Sequence, residues 1–196
     1  MHRYRAEAPL RYWKPIQTGI EQDDDTAEVE RLGACRPHEI LSTGIRLPRP
    51  VSPHLAARLS GTTIALQALM DSMPAHDGSW IIEGAGGVLV PVNESDTMAD
   101  LMIRLGLPVL VVARTSLGTI NHTLLTLEAL RRRSLQVAGV VMVGDPDEEN
   151  RRATERYGDV AVLGGMPRFD PLTEERLKTW AETEIDPQHR LLEFLR

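Results

Sequence analysis

Trp80-Ile81-Ile82-Glu83-Gly84-Ala85-Gly86-Gly87 is a short apolar run that ends on a carboxylate and opens directly into residues with almost no side chain. The run from Trp80 to Glu83 is bounded by turn residues and reads as a buried strand. The small residues behind it permit a tight turn and let backbone N–H groups approach a phosphate. A carboxylate at the strand end is placed to hold a hard cation. Taken alone, the segment reads equally well as a glycine turn behind a solvated glutamate.

Working outward, similar apolar runs occur at Arg11 to Lys14, Val109 to Ala113, Val137 to Val143 and Val160 to Leu163. Between them lie segments of helical period, the clearest at Thr119 to Arg133, where Ile120, Leu124, Leu127 and Leu130 share a face and arginines gather at the C-terminal end. Further helices are predicted at Thr26 to Leu32, Pro53 to Leu59, Thr62 to Met73, Met98 to Leu105, Glu148 to Tyr157 and Thr173 to Glu182. Arg46 to Pro53, with three prolines, reads as a crossover loop. This alternation specifies an α/β fold with a parallel sheet and helices on both faces. Ligands of such sheets bind at the carboxyl ends of the strands. Polar or glycine-rich clusters follow four of the runs, at Pro15 to Asp25, Gly84 to Gly87, Arg114 to Asn121 and Gly144 to Asp147, which predicts one site.

With 196 residues, 42% hydrophobic and 26% charged, the chain has the composition of a single globular domain over residues 1–196. A net charge of -6 with mixed signs points away from nucleic acid and anionic membranes and towards small-molecule partners or copies of the chain itself. The one cysteine, Cys35, fits a reducing cytoplasm, and no apolar stretch approaches the ~20 residues of a membrane span.

Lys14 ends its strand as Glu83 ends another, and a lysine there can neutralise a phosphoryl group in transfer. A surface lysine snorkelling at a strand end is the plainer reading. Asp23-Asp24-Asp25 precedes Thr26-Ala27-Glu28. Two of these acids are expected to cap the helix or offset its dipole, leaving one to face Glu83 and complete a carboxylate pair suited to magnesium. Ser116-Leu117-Gly118-Thr119-Ile120-Asn121 leads into the best helix, whose N-terminal N–H groups suit a carboxylate or phosphate. His54 and His122 lack metal-ligand spacing and are assigned no chemistry.

Lys14-Pro15-Ile16-Gln17-Thr18-Gly19, Asp23-Asp24-Asp25-Thr26-Ala27, Ser52-Pro53-His54, Glu83-Gly84-Ala85-Gly86-Gly87 and Leu117-Gly118-Thr119-Ile120-Asn121-His122, in this order, resemble the dethiobiotin synthetase family from about Tyr12 to about Thr173. The resemblance implies a P-loop NTPase-like, Rossmann-like three-layer fold and an ATP- and Mg2+-dependent ligase of biotin biosynthesis. Such an enzyme closes 7,8-diaminononanoate with CO2 into dethiobiotin. Carried over, Lys14 is the catalytic lysine and Thr18 contacts substrate. Asp25 and Glu83 bind magnesium, and with Gly84, Ala85 and Gly86 they line the nucleotide phosphates. Leu117, Gly118, Thr119 and Asn121 receive the substrate carboxylate from a partner subunit, which implies a homodimer with shared sites. Pro167, Arg168 and Phe169 look like a loop beside the base.

Two features depart from the family. Val143-Gly144 stands where many members carry an asparagine that reads the base, and a valine has no amide pair, so ATP or another nucleoside triphosphate is expected. The family also opens with a strand, a G-x-x-x-x-G-K-[ST] loop and a helix, a pattern that these residues do not contain. The chain is therefore expected to be N-terminally incomplete by ~25 to 30 residues, with Met1 to Glu7 as the tail of the first helix. The alternative to an active enzyme is a catalytically dead homologue that binds substrate or a related subunit. A different ligase or a partitioning-type ATPase of the same superfamily is the weaker third reading.

Overall fold

The computed structural model describes residues 1–74 and 78–195, which divide by backbone contacts into two compact units, one reaching from Arg3 to Leu105 and one from Gly106 onward. In the first unit the elements are β1 (Leu10–Trp13), β2 (Ile16–Thr18), α1 (Asp25–Leu32), β3 (Ile40–Leu41), β4 (Ile45–Leu47), α2 (Pro53–Leu59), α3 (Leu66–Ser72), β5 (Ser79–Ile82) and α4 (Met98–Leu105). The second contains β6 (Val109–Arg114), α5 (Thr119–Arg131), β7 (Val137–Val143), α6 (Glu148–Gly158), β8 (Val162–Met166) and α7 (Glu174–Thr183). Each unit carries a three-stranded sheet, ordered β3-β1-β5 and β6-β7-β8, and every pairing in them is parallel.

Proline explains two short strands that fall in segments expected as loops. Pro15 has no N–H to give the β1 ladder, so the chain leaves that sheet and pairs afresh as β2 with β4, again in parallel. The expected crossover loop at Arg46 to Pro53 therefore starts inside β4. Residues 2–7, expected as the tail of a helix, form turns instead, closed by Glu7 and Ala8 N–H donating to the Tyr4 carbonyl.

Side chains alternate along β1, and the two faces do different work. Trp13 is fully buried and packs with Ala56 and Ala57 of α2, Leu66 and Leu69 of α3, and Met98 and Leu101 of α4. Each large apolar side chain buried this way contributes about 1.5–3 kcal/mol. Tyr12 and Lys14 lie on the opposite face. In the second unit the middle of β7, from Gly139 to Met142, is buried, as befits a central strand. Along β6, Val111 and Ala113 are buried, whereas Leu110 and Val112 on the other face are exposed. Among the described residues no helix is long and apolar enough to cross a membrane.

Candidate functional site

The register of β1 and β5 dictates the core of the site. Trp13 pairs with Ile82, and the Glu83 N–H continues the ladder by donating to the Trp13 carbonyl at 2.9 Å. Lys14 and Glu83 are thus the next pair beyond the last strand residues, and residues level with one another in a parallel sheet point to the same face. Lys14 Nζ lies 2.6 Å from Glu83 Oε1 and 2.5 Å from Asp25 Oδ2. The Lys14 side chain is 6% exposed, while those of Asp25 and Glu83 remain 37% and 44% open to solvent. A buried charge needs partners of opposite sign, and here it has two.

Asp25 comes from the first turn of α1, and its neighbour frees it for this contact. Asp24 is the N-cap, accepting from the Ala27 N–H at 3.2 Å, and its other oxygen binds Arg46 at 2.5 Å. Burial pushes the Asp24 carboxyl up, but the hydrogen bonds from Arg46, Ala27 and Gln17 outweigh it and hold the group below its ordinary value. Asp23 is exposed. One acid therefore caps, one faces the lysine and one is solvated.

Three residues that sequence reasoning passed over build this arrangement. Tyr12, 2% exposed, donates its hydroxyl to Glu83 Oε2 at 2.7 Å, so the lysine and the tyrosine divide the two oxygens of one carboxylate. Burial first, and then the hydrogen bond to Glu83, push the Tyr12 phenol well above its ordinary value, which keeps it a donor. Gln17, 1% exposed, donates to the Asp23 carbonyl and to Asp24, both at 3.3 Å, and accepts from Thr26 and Arg46. It fastens the acidic loop to β2. Period-two alternation back from Lys14 would have pointed to Tyr12; Gln17 and Arg46 leave no such mark.

Backbone geometry completes the surroundings. Gly86 takes φ +79°, and Ala85 is buried against the core beside it. Gly44 takes φ +135°, and a Cβ there would stand 2.8 Å from the Pro15 carbonyl oxygen and 3.0 Å from that of Lys14. Only glycine admits both that conformation and that approach. Thr18 lies half-buried at the end of β2.

Two buried-to-open carboxylates converging on one ammonium fit a hard divalent ion: Asp25 and Glu83 already hold a positive charge between them. One or two carboxylates are what magnesium takes from a protein when phosphate and water supply the rest.

The remaining predicted residues lie in the second unit, at the carboxyl ends of its strands. The loops there stay in register, since Thr115 N–H donates to the Val143 carbonyl and Gly144 N–H to that of Met166. Gly118 is the N-cap of α5, at φ +93° and with no side-chain cap. Thr119 is buried, its hydroxyl donating to the Arg114 carbonyl at 2.5 Å, while Leu117 is 97% exposed and Asn121 is exposed. This helix end offers backbone donors and dipole without competing side chains. After β8, Arg168 is exposed, Pro167 is half-buried, and Phe169 packs towards Val141, Leu163 and Trp180.

The family profile described as "AAA domain" matches residues 2–176. The ATP-dependent dethiobiotin synthetase BioD of Agrobacterium fabrum is 47% identical over 166 residues, covering 85% of this chain and 77% of that protein. The protein of the same name from Paramagnetospirillum magneticum is 52% identical over 163 residues, covering 83% and 77%. The biotin biosynthesis bifunctional protein BioCD of Bordetella avium is 42% identical over 172 residues, or 87% of this chain and 37% of that longer one. Identities of 47% and 52% over most of both chains, on a parallel α/β scaffold, establish that this chain belongs to the dethiobiotin synthetase family.

Proposed function

We propose that the Lys14–Asp25–Glu83 constellation is the reaction centre of an ATP-dependent dethiobiotin synthetase that converts 7,8-diaminononanoate and CO2 into dethiobiotin. The observation that carries this reading is the buried Lys14 ammonium held between two carboxylates at the strand ends. One amine of the substrate adds to CO2 as a carbamate, and the nucleotide γ-phosphoryl passes to a carbamate oxygen. The second amine then attacks the carbonyl carbon and expels phosphate, closing a cyclic urea. Lys14 is the group suited to neutralise the carbamate and the phosphoryl oxygens as charge builds on them. Thr18 would orient the substrate.

Asp25 and Glu83 would hold magnesium, which lends positive charge to the nucleotide phosphates. Gly84, Ala85 and Gly86 would let the backbone approach those phosphates. Pro167, Arg168 and Phe169 would border the base, with ATP or another nucleoside triphosphate as donor because Val143 lacks an amide. The open N-terminus of α5, at Leu117, Gly118, Thr119 and Asn121, would take the substrate carboxylate in a homodimer with shared sites, and the two compact units would work as one enzyme domain. A single half-buried cysteine fits the reducing cytoplasm.

The test is to incubate the purified protein with diaminononanoate, bicarbonate, ATP and Mg2+ and to detect dethiobiotin by mass spectrometry. Product from the native protein and none from Lys14→Met is the expected result. Equal product from both would overturn the assignment of Lys14.

A further inference from the structure

Resting on the cation reading above, we propose that Tyr12 is a specificity-determining residue of that site, selecting a small octahedral divalent ion over a larger one. Its hydroxyl donates to Glu83 Oε2 at 2.7 Å, which draws on one lone pair of that oxygen and leaves Oε1 the stronger oxygen to offer a metal. Oε1 is the oxygen that Lys14 holds at 2.6 Å, and Asp25 Oδ2 is the other. A metal that replaces the ammonium therefore meets one oxygen from each acid.

That count matters because the candidate ions want different things. Magnesium demands near-octahedral, single-oxygen contacts and keeps several waters. Calcium takes six to eight oxygens and readily chelates a carboxylate through both. For Glu83 to chelate through both oxygens, Oε2 must serve the metal and the Tyr12 hydroxyl at once, and each weakens the other's hold on it. Hydrogen bonds to a charged acceptor are among the strongest in proteins, and this donor belongs to a residue that is only 2% exposed. Tyr12 thereby penalises the two-oxygen mode and leaves the one-oxygen mode untouched. It is positioned to do so by the strand itself, two residues before Lys14 on the same face of β1.

The experiment is a Mn2+ titration of the purified chain, read by the electron paramagnetic signal of free Mn2+, with Mg2+ and Ca2+ as competitors. Asp25→Asn and Glu83→Gln are expected to abolish Mn2+ binding. Tyr12→Phe is expected to keep it and to shift the competition ratio towards Ca2+ by about tenfold, the worth of one hydrogen bond to a charged group. Mn2+ binding unchanged in both acid variants sinks the cation reading. Binding lost in those variants with the ratio unmoved by Tyr12→Phe sinks the role of Tyr12 alone. A second measurement needs no Tyr12 variant: the infrared difference spectrum of the native chain on adding Ca2+, with Glu83→Gln as reference, should show the wide carboxylate splitting of single-oxygen binding. A narrow, chelate-type splitting would overturn the proposal.

Discussion

The ends of β1 and β5 and the end of β6 are both loops leaving a parallel strand, yet they present opposite kinds of chemistry. At Lys14, Asp25 and Glu83 the atoms proposed to act belong to side chains held by one another and by Tyr12 at hydrogen-bond distance. At Leu117 to Asn121 the side chains are mostly turned out, and what remains is backbone at the start of α5. A site of the first kind is fragile to single substitutions. One of the second kind is fragile to changes of conformation and indifferent to most changes of side chain.

The largest expected effect is on the first region. Lys14→Ala should lower kcat by about a thousandfold, the cost of removing a donor aimed at developing charge. The thermal midpoint should barely move, because both acids it leaves behind have solvent to turn to. Next, Asp25→Asn and Glu83→Gln should each lower activity at limiting Mg2+ by about a hundredfold and be partly rescued by excess metal, read from initial rates against Mg2+ concentration. Asn121→Ala, in the second region, should raise KM for diaminononanoate by less than about tenfold and leave kcat alone, as loss of ground-state binding does. A collapse of kcat in that variant would erase the contrast between the two regions.

The same contrast explains what the sequence disclosed. Charged residues at strand ends announced the first region, and Asp24 caps α1 as capping rules suggest, whereas Asp23 is solvated and only Asp25 turns to the lysine. The helices at Pro53–Leu59 and Met98–Leu105 and the strand Val137–Val143 have the bounds that apolar period implies. What stayed hidden has a common cause. β2 and β4 are three residues each, too short to show a period, and they exist because Pro15 ends one ladder and permits another. Gln17 and Arg46 reach the acidic loop only once those strands pair. Tyr12, inside an apolar run, is core except for the one polar atom that touches Glu83.

The smallest expected effect concerns pH. Because hydrogen bonds hold Asp24 below its ordinary value, the unfolded chain takes up a proton there before the folded one does. The stabilisation is full above the ordinary aspartate range, about pH 3.9, and is lost as pH falls through the lowered folded value. Arg46→Gln removes one of these bonds, so its acid unfolding midpoint, followed by circular dichroism, should lie at higher pH than that of the native chain. No difference would mean that Arg46 holds the loop by packing rather than by charge.

Gly44 carries a final implication for how this protein tolerates variation. It stands thirty positions from Lys14 and has no side chain, yet any Cβ there would press on the carbonyls of Lys14 and Pro15. In a saturation library scored for growth without biotin, position 44 should be as intolerant as the lysine itself. The two would fail differently: substitutions at 14 leave a folded and inert protein, whereas substitutions at 44 displace a lysine that is still present.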